Sequence, residues 1–521
     1  MLKAPCLLCR HPHANSPLFV GYFELMRLPY GLSALGIALI TSIWASDPVM
    51  AGPTSAIRRP NHLSPFACSG SVEKRVWALW DGVIKDSVRN DLIEKRLLST
   101  GDTYALYDLQ TTLSNLVAMA HRCGRHSRLV QLADLLLPVF NGMETLLPPN
   151  EHHQGWVCRG GSLCTKANRR LGREVLLVSL QGLGLLTDLA SRLANYPNSS
   201  FQQHSFVGLT ASASQSHLER MATPELRDSL RLRLQAKPVD VKGNSSGLLF
   251  TSGDIWRYTI AMNTAAFSAE SWYPSKAVRG MVRDTAHLFA KRTTIDSRSA
   301  SPRANLDAHF WDRRVDHAYA GYDGVVSPVK CVRHQGKLRA VLRNPLIPRQ
   351  PVSGTGWDIS HARRLVPLFE AVERNGSQAS ATFGIPFGLL PTRLVRDAYT
   401  NQLADVIWNQ DPKYPLFSNY WGGANGWYRV AYKPGNGSCR IGYPPFGLTS
   451  AFPQGGFITW KVYKPQLGDL GVSLFRLSIS TRPSDRVFVT KYYPQLAVPD
   501  DAPGPRQYGK LQFWSSLIGL N

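Results

Sequence analysis

Two short stretches concentrate more acids, bases and rings than a connecting loop needs. Residues 305–324, NLDAHFWDRRVDHAYAGYDG, gather His309, Asp312, Arg313, Arg314, Asp316, His317, Tyr319, Tyr322 and Asp323 around Phe310 and Trp311. A solvated helix face would explain the charges but not the interleaved rings, because each buried ionisable group needs a partner. Sugars fit this mixture, with rings stacking on their apolar faces and charged groups taking hydroxyls and carboxylates. His317, Tyr319, Tyr322 and Asp323 are therefore expected to be catalytic, and His309, Trp311, Arg313 and Arg314 to bind substrate.

The second stretch, residues 356–369, reads GWDISHARRLVPLF. Asp358 at a helix start can cap the unpaired amides of the first turn. On a helical wheel it also shares a face with His361, Leu365, Leu368 and Val372. Ionisable groups at the end of an apolar stripe are costly unless paired or functional, so Asp358 and His361 are either a catalytic pair or a cap that packs. Trp357 and Arg364 are expected beside them as substrate ligands, with one of Arg363 and Arg364 pointing to solvent. The third stretch, residues 417–430 (FSNYWGGANGWYRV), sets Asn419, Tyr420, Trp421, Asn425, Trp427, Tyr428 and Arg429 among glycines that permit tight turns. Rings on such a loop either bind a ligand or plug one end of the fold. Tyr104, Asp108, Thr111 and Asn115 lie along one helix face, where Asp108 is expected to reach the same cleft or join a buried network.

The elements that must carry these groups are mostly helical. Apolar residues recurring at three and four predict helices over 72–98, 104–121, 127–145, 173–195, 222–235, 253–267, 275–292, 358–375 and 390–408. From about residue 414 glycine, proline and aromatics dominate, and 472–480 and 487–493 read as short strands. Many antiparallel helices broken by aromatic loops predict a mainly α fold, an α/α toroid with a strand-containing C-terminal segment. An α-solenoid or a plain bundle competes. No repeat of fixed period is visible.

Lys and Arg outnumber Asp and Glu by 59 to 36 in the 521 residues, a net charge of +23 spread along the chain. Such a field favours anionic partners, although an arginine-rich composition alone would also produce it. An apolar run at 32–45 after Met26-Arg27, followed by Val49-Met50-Ala51, has the order of a secretory signal peptide cleaved before Gly52. It is short for a transmembrane span, which leaves an uncleaved anchor as the alternative. Residues 1–25 precede it, so Met26 is a candidate start. The expected organisation is an extension and signal over 1–51, a flexible lead over 52–71 and one helical domain over 72–521, in a periplasmic or extracellular protein with no stable membrane span. Cys68, Cys123, Cys158, Cys164, Cys331 and Cys439 then permit disulfides, and Cys158 and Cys164 flank a loop a local bridge would close. A zinc site lacks the ligand spacing it needs, and no metal or cofactor is expected. The chain has no GxxxxGKS, GxSxG or HExxH, which disfavours nucleotide hydrolysis, serine-ester chemistry and zinc proteolysis. No nucleic-acid module is present either.

In its helices, its glycine-aromatic C-terminal region and the clusters HFWDRRVDHAYAGYD and WDISHARR, the chain resembles the helical-toroid enzymes that act on polysaccharides, lyases and glycoside hydrolases. The resemblance is one of architecture and residue usage, and it implies a polysaccharide substrate. A lyase on a uronate polymer must neutralise a carboxylate, remove the neighbouring proton and protonate the leaving oxygen. Arg313, Arg314, His317, Tyr319 and Tyr322 offer these groups, with His361 as a further base. A hydrolase would need two carboxyls at set separation, for which Asp323 and Asp358 are the pair, with Asp108 in reserve. The expectation is an exported enzyme cleaving an acidic polysaccharide, β-elimination favoured over hydrolysis. The alternative from another class is a non-catalytic envelope protein that binds an anionic glycan.

Overall fold

The computed structural model describes residues 64–194, 196, 200–237, 249–268, 272–309, 311, 317–345, 347, 352–432 and 438–520. The expected extension, signal segment and most of the lead lie outside them. Where the lead enters the described residues it is tied down, with Ala67 buried and Cys68 bridged to Cys123.

The fold is mainly helical. Ser71–Leu79 (α1) continues through π-type turns at Trp80–Ile84 and Val88–Ser99. Then follow α2 (Tyr104–Arg122), α3 (His126–Leu136), α4 (Leu176–Leu193), α5 (Phe201–Met221), α6 (Pro224–Gln235), α7 (Ser252–Ser268) and α8 (Lys276–Arg292). A one-turn helix, Ile359–Ala362, leads into α9 (Leu365–Phe383) and α10 (Arg393–Gln402). After a long loop region come a 3₁₀ segment at Phe457–Val462 and then α11 (Gln466–Ile479), α12 (Pro483–Tyr492) and α13 (Gly504–Leu517).

Helix packing follows the apolar spacing. In α2, Leu106, Leu109, Leu113, Leu116 and Val117 form a buried stripe at intervals of three and four. α4 is buried nearly all round because it lies between α2 and α7. It is long and apolar enough to cross a membrane, yet most of it is enclosed by the rest of the fold. α7 packs on α9, α9 meets Phe457–Val462, that segment meets α13, and α13 packs on α2. Ser200, Thr223, Ser275 and Thr392 cap their helices by accepting an amide of the first turn. Gly384 closes α9 in the left-handed conformation.

The strands are not where alternation placed them. The stretches 472–480 and 487–493 lie in α11 and α12. Once Leu467 and Leu470 are counted with Leu474, Phe475 and Leu477, the buried positions of α11 recur at three and four, not two. Pro483 at the first position of α12 is a helix-start residue. The strands pair antiparallel: β1 (Met143–Thr145), β2 (Gln154–Cys158) and β3 (Arg173–Glu174) in one sheet, β4 (Thr293–Asp296) with β5 (Arg303–Leu306), and β6 (Val329–His334) with β7 (Lys337–Leu342). Pro138 ends the helix expected over 127–145 in a 3₁₀ turn that feeds β1. The six cysteines among the described residues pair, as Cys68–Cys123, Cys158–Cys164 and Cys331–Cys439, with Cα atoms 5.3, 5.5 and 6.0 Å apart.

Candidate functional site

The three sequence stretches meet. The backbone at Trp357 accepts the Trp421 amide, the Ile359 amide donates to Asn419 at 3.0 Å, and Asp358 bridges Tyr420. The Trp311 amide donates to Thr355 at 3.1 Å, which brings in the 305–324 stretch. Two glycines permit this approach. A Cβ at Gly356 would sit 2.2 Å from the Asn305 side-chain oxygen, and one at Gly426 would sit 1.6 Å from the Ala320 carbonyl oxygen.

At the junction Asp358 caps the one-turn helix and pairs with His361. It is fully buried; Oδ1 accepts the His361 amide at 3.1 Å and the Ser360 hydroxyl, and Oδ2 lies 2.6 Å from His361 Nδ1. Burial alone would raise this carboxyl, but the His361 ring, the Ser360 hydroxyl and Arg429 hold it far below the carboxylate range. Burial, with Arg364 and Arg429 nearby, lowers His361 to about 4 despite Asp358. The ring is therefore neutral at physiological pH, with its Nδ1 proton on Asp358 and Nε2 carrying the lone pair.

Aromatic rings fix the imidazole. Trp311 meets His361 edge-on at 5.8 Å and stacks on His317 at 3.9 Å with 3° between planes. His317 also meets Tyr428 at 4.9 Å and Tyr420 at 5.9 Å. The Tyr428 hydroxyl is 3.4 Å from His361 Nδ1, and burial, reinforced by the Asp358 charge, raises it well above the usual phenol value. Arg429, at a positive φ of 53°, lays its guanidinium 5.4 Å over Tyr428 and 4.6 Å over Tyr432.

Beside this cluster opens a small cavity of about 40 Å³, lined in part by Thr111 and Asn115 of α2, Gln181 and Asp188 of α4, Glu370 of α9 and both Arg363 and Arg364. Neither arginine simply points to solvent. Arg363 donates to the Tyr107 hydroxyl at 2.6 Å. Arg364 is buried, donates weakly to the His361 carbonyl at 3.4 Å, and has no carboxylate partner among the described residues. Burial lowers its guanidinium to about 10.

Other expected site residues do framework work. Tyr319 and Trp427 form a satellite apolar cluster with Val329 and Val430, and Tyr322 packs against it. Trp427 donates to the Gly324 carbonyl at 2.7 Å and Trp421 to that of Ala304 at 3.0 Å. Asn419 bonds Gly426 and Pro444 and receives the Leu448 amide; Asn425 receives the amides of Asn419 and Phe446. Tyr420 donates to Trp427, and Trp357 is buried against Phe250 and His361. These side chains shape the loop, and those of Asn419, Tyr420, Trp421, Asn425 and Trp427 spend polar atoms on backbone groups in or beside it. Asp323 is exposed and Asp108 is paired with Arg96 at 2.6 Å, while the two carboxylates that line the cavity, Asp188 and Glu370, are ion-paired with Arg192 and Arg374. His309 is half-buried at the edge of its stretch. Arg313 and Arg314 lie outside the described residues.

Tyr107 is the neighbour of the cluster that the sequence does not single out, whereas Arg363 and Tyr428 stand in stretches it does, without a role assigned there. Tyr107 stands three residues after Tyr104 and four before Thr111, so the polar stripe of α2 already held the signal. Tyr428 adjoins Trp427 in extended chain, which sends the two rings to opposite sides. No protein-family model, curated protein or solved structure matches the chain, so the class of protein rests on this geometry.

Proposed function

We propose that the chain is an exported enzyme that cleaves an acidic, uronate-containing polysaccharide by β-elimination. The carrying observation is Arg364, a buried guanidinium on the cavity wall with no acidic partner among the described residues, next to a neutral histidine. A buried cation without a counter-charge is costly, and an incoming carboxylate removes that cost. Arg363 adds a second guanidinium from the neighbouring position.

In this reading the uronate carboxylate pairs with Arg364 and Arg363, which favours the developing negative charge on the adjoining carbon. His361 Nε2 takes the C5 proton. The C5–H electrons form the C4–C5 double bond as the C4–O bond breaks, and the leaving oxygen takes a proton from Tyr107. That hydroxyl already accepts from Arg363, so its own hydrogen is free to donate and the phenolate left behind is stabilised. Asp358, which can only accept, holds the Nδ1 proton and so keeps His361 in the tautomer the step needs.

The same reading makes the fold an α/α toroid. The packing order α2, α4, α7, α9, Phe457–Val462, α13 and back to α2 returns to its start, as an inner ring would. Three disulfides suit an oxidising compartment, and the +23 charge suits an anionic substrate. Incubation with uronate polymers should give the ultraviolet absorbance of unsaturated uronides. Reducing ends without that absorbance would move the reaction to hydrolysis, and binding with no product would leave an envelope glycan-binding protein.

A further inference from the structure

The β6–β7 hairpin lies outside the chemistry just described, and its charge is one-sided. Its register pairs Lys330 with Val341, Val332 with Arg339 and His334 with Lys337, so these residues share one face. On that face Lys330, His334, Lys337 and Arg339 are exposed. The opposite face supplies Val329, Ala340 and Leu342 to the satellite cluster that also holds Trp427 and Val430. Those two residues flank Tyr428 and Arg429, so the hairpin is seated on the loop that completes the site.

No acid offsets these cations. Residues 324–357 and 412–468 contain no Asp or Glu, and Cys331–Cys439 joins the two stretches covalently. Arg343 and Arg440 extend the exposed charge at the base of the ribbon. Among the described residues none of Lys330, Lys337, Arg339, Arg343 and Arg440 makes an ion pair. Natural surfaces usually intersperse both signs, and an acid-free ribbon that stays exposed raises the local concentration of anions.

We propose that this hairpin is a second binding surface for the same anionic polysaccharide, gripping the chain beyond the residues that enter the cavity. The inference rests on the proposed substrate class and extends it from one site to a long, multiply charged chain. Lys337 and Arg339, on alternate residues of β7, stand about 6.6 Å apart, and Lys330 lies across from Val341, the next position on that face, a row suited to a polymer with a charge on each unit. A membrane surface is the less fitting occupant, because membrane docking asks for a broad apolar face beside the cations, and here Val329, Ala340 and Leu342 pack into the satellite cluster, leaving Leu338 and Val341 as the exposed apolar side chains of the ribbon.

The test is the triple charge reversal Lys330→Glu, Lys337→Glu, Arg339→Glu, made in the His361→Ala background so that polymer is not consumed. Calorimetric titration would use long-chain alginate and polygalacturonate, their trimers, and phosphatidylglycerol vesicles, at low and high salt. Against His361→Ala alone, the reversal should weaken long-polymer binding by roughly tenfold or more at low salt, remove most of its salt dependence, and leave trimer binding unchanged. Equal polymer binding by the two proteins overturns the inference, as does no polymer binding by either, or a loss confined to the vesicles. The variants are exposed and their circular dichroism should match the parent. The two proposals fail separately. Hairpin-dependent polymer binding without unsaturated product from wild type would sink only the β-elimination reading. Unsaturated product from wild type, with a reversal that binds polymer as its parent does, would sink only this one.

Discussion

Asp254 and Asp358 are both fully buried carboxylates at helix starts, and they do opposite things. Asp254 is saturated by fixed donors. Arg233 reaches it at 2.6 and 3.1 Å, the Thr251 amide and hydroxyl at 2.7 and 2.6 Å, and Arg257 lies against Oδ1. Asp358 instead spends one oxygen on a local cap and the other on a histidine beside a cavity. Guanidinium ions do not give up protons in this range, so the first arrangement can only hold structure. A histidine can exchange one, so the second can hold a base in position. Burial of an acid is thus no sign of chemistry by itself; the kind of partner decides.

The comparison can be broken from either side. The largest effect is expected at Asp254→Asn, which leaves Arg233 and Arg257 buried without their counter-charge and should cost about 3–5 kcal/mol in denaturant unfolding. An unchanged midpoint would remove Asp254 from its structural role. His361→Ala should lower turnover of a uronate polymer by about 10²–10⁴ while costing less stability than Asp254→Asn, because Asp358 keeps the His361 amide and the Ser360 hydroxyl on its other oxygen. A large loss of stability with intact activity would make the two acids equivalent after all.

A smaller effect sharpens the contrast. An NMR titration of the His361 ring, assigned by its loss in His361→Gln, should show a midpoint near 4 instead of the ordinary 6.5. Because the native value lies below the unfolded one, the unfolded state binds more protons across this window. The contribution of this residue to stability should therefore be full above 6.5 and decline as pH falls toward 4. A midpoint at or above 6.5 would mean that the ring is charged on Asp358 and is no base at neutral pH.

Much of the helical framework was readable because each helix buries its own stripe. Tyr104–Arg122 and Lys276–Arg292 show their periodicity without any neighbour. α5 was not expected, because its buried positions mix Gln203, Thr210, Ser214 and His217 with few large apolar residues. The candidate site was half readable. Its acids, rings and histidines stood in the right stretches, but composition cannot say which side chains face inward to bond their own loop. Asn419, Asn425 and Trp427 look like ligands by type and are framework by position, while Tyr107 looks ordinary and stands at Arg363.

Sequence alone determined the mainly helical class, the basic balance, the cysteine set and the segments rich in reactive groups, since these depend on residue type and on spacings within one helix. Tertiary structure alone decided that Asp358 meets His361 while Tyr428 arrives from 67 residues away, that Cys331 pairs with Cys439 across 108 residues, and that Arg364 is buried without an acid. The reason is one of range. Periodicity and capping act over a turn or two of chain, whereas the proton affinity of a side chain depends on whichever distant groups the fold brings within a few ångströms of it.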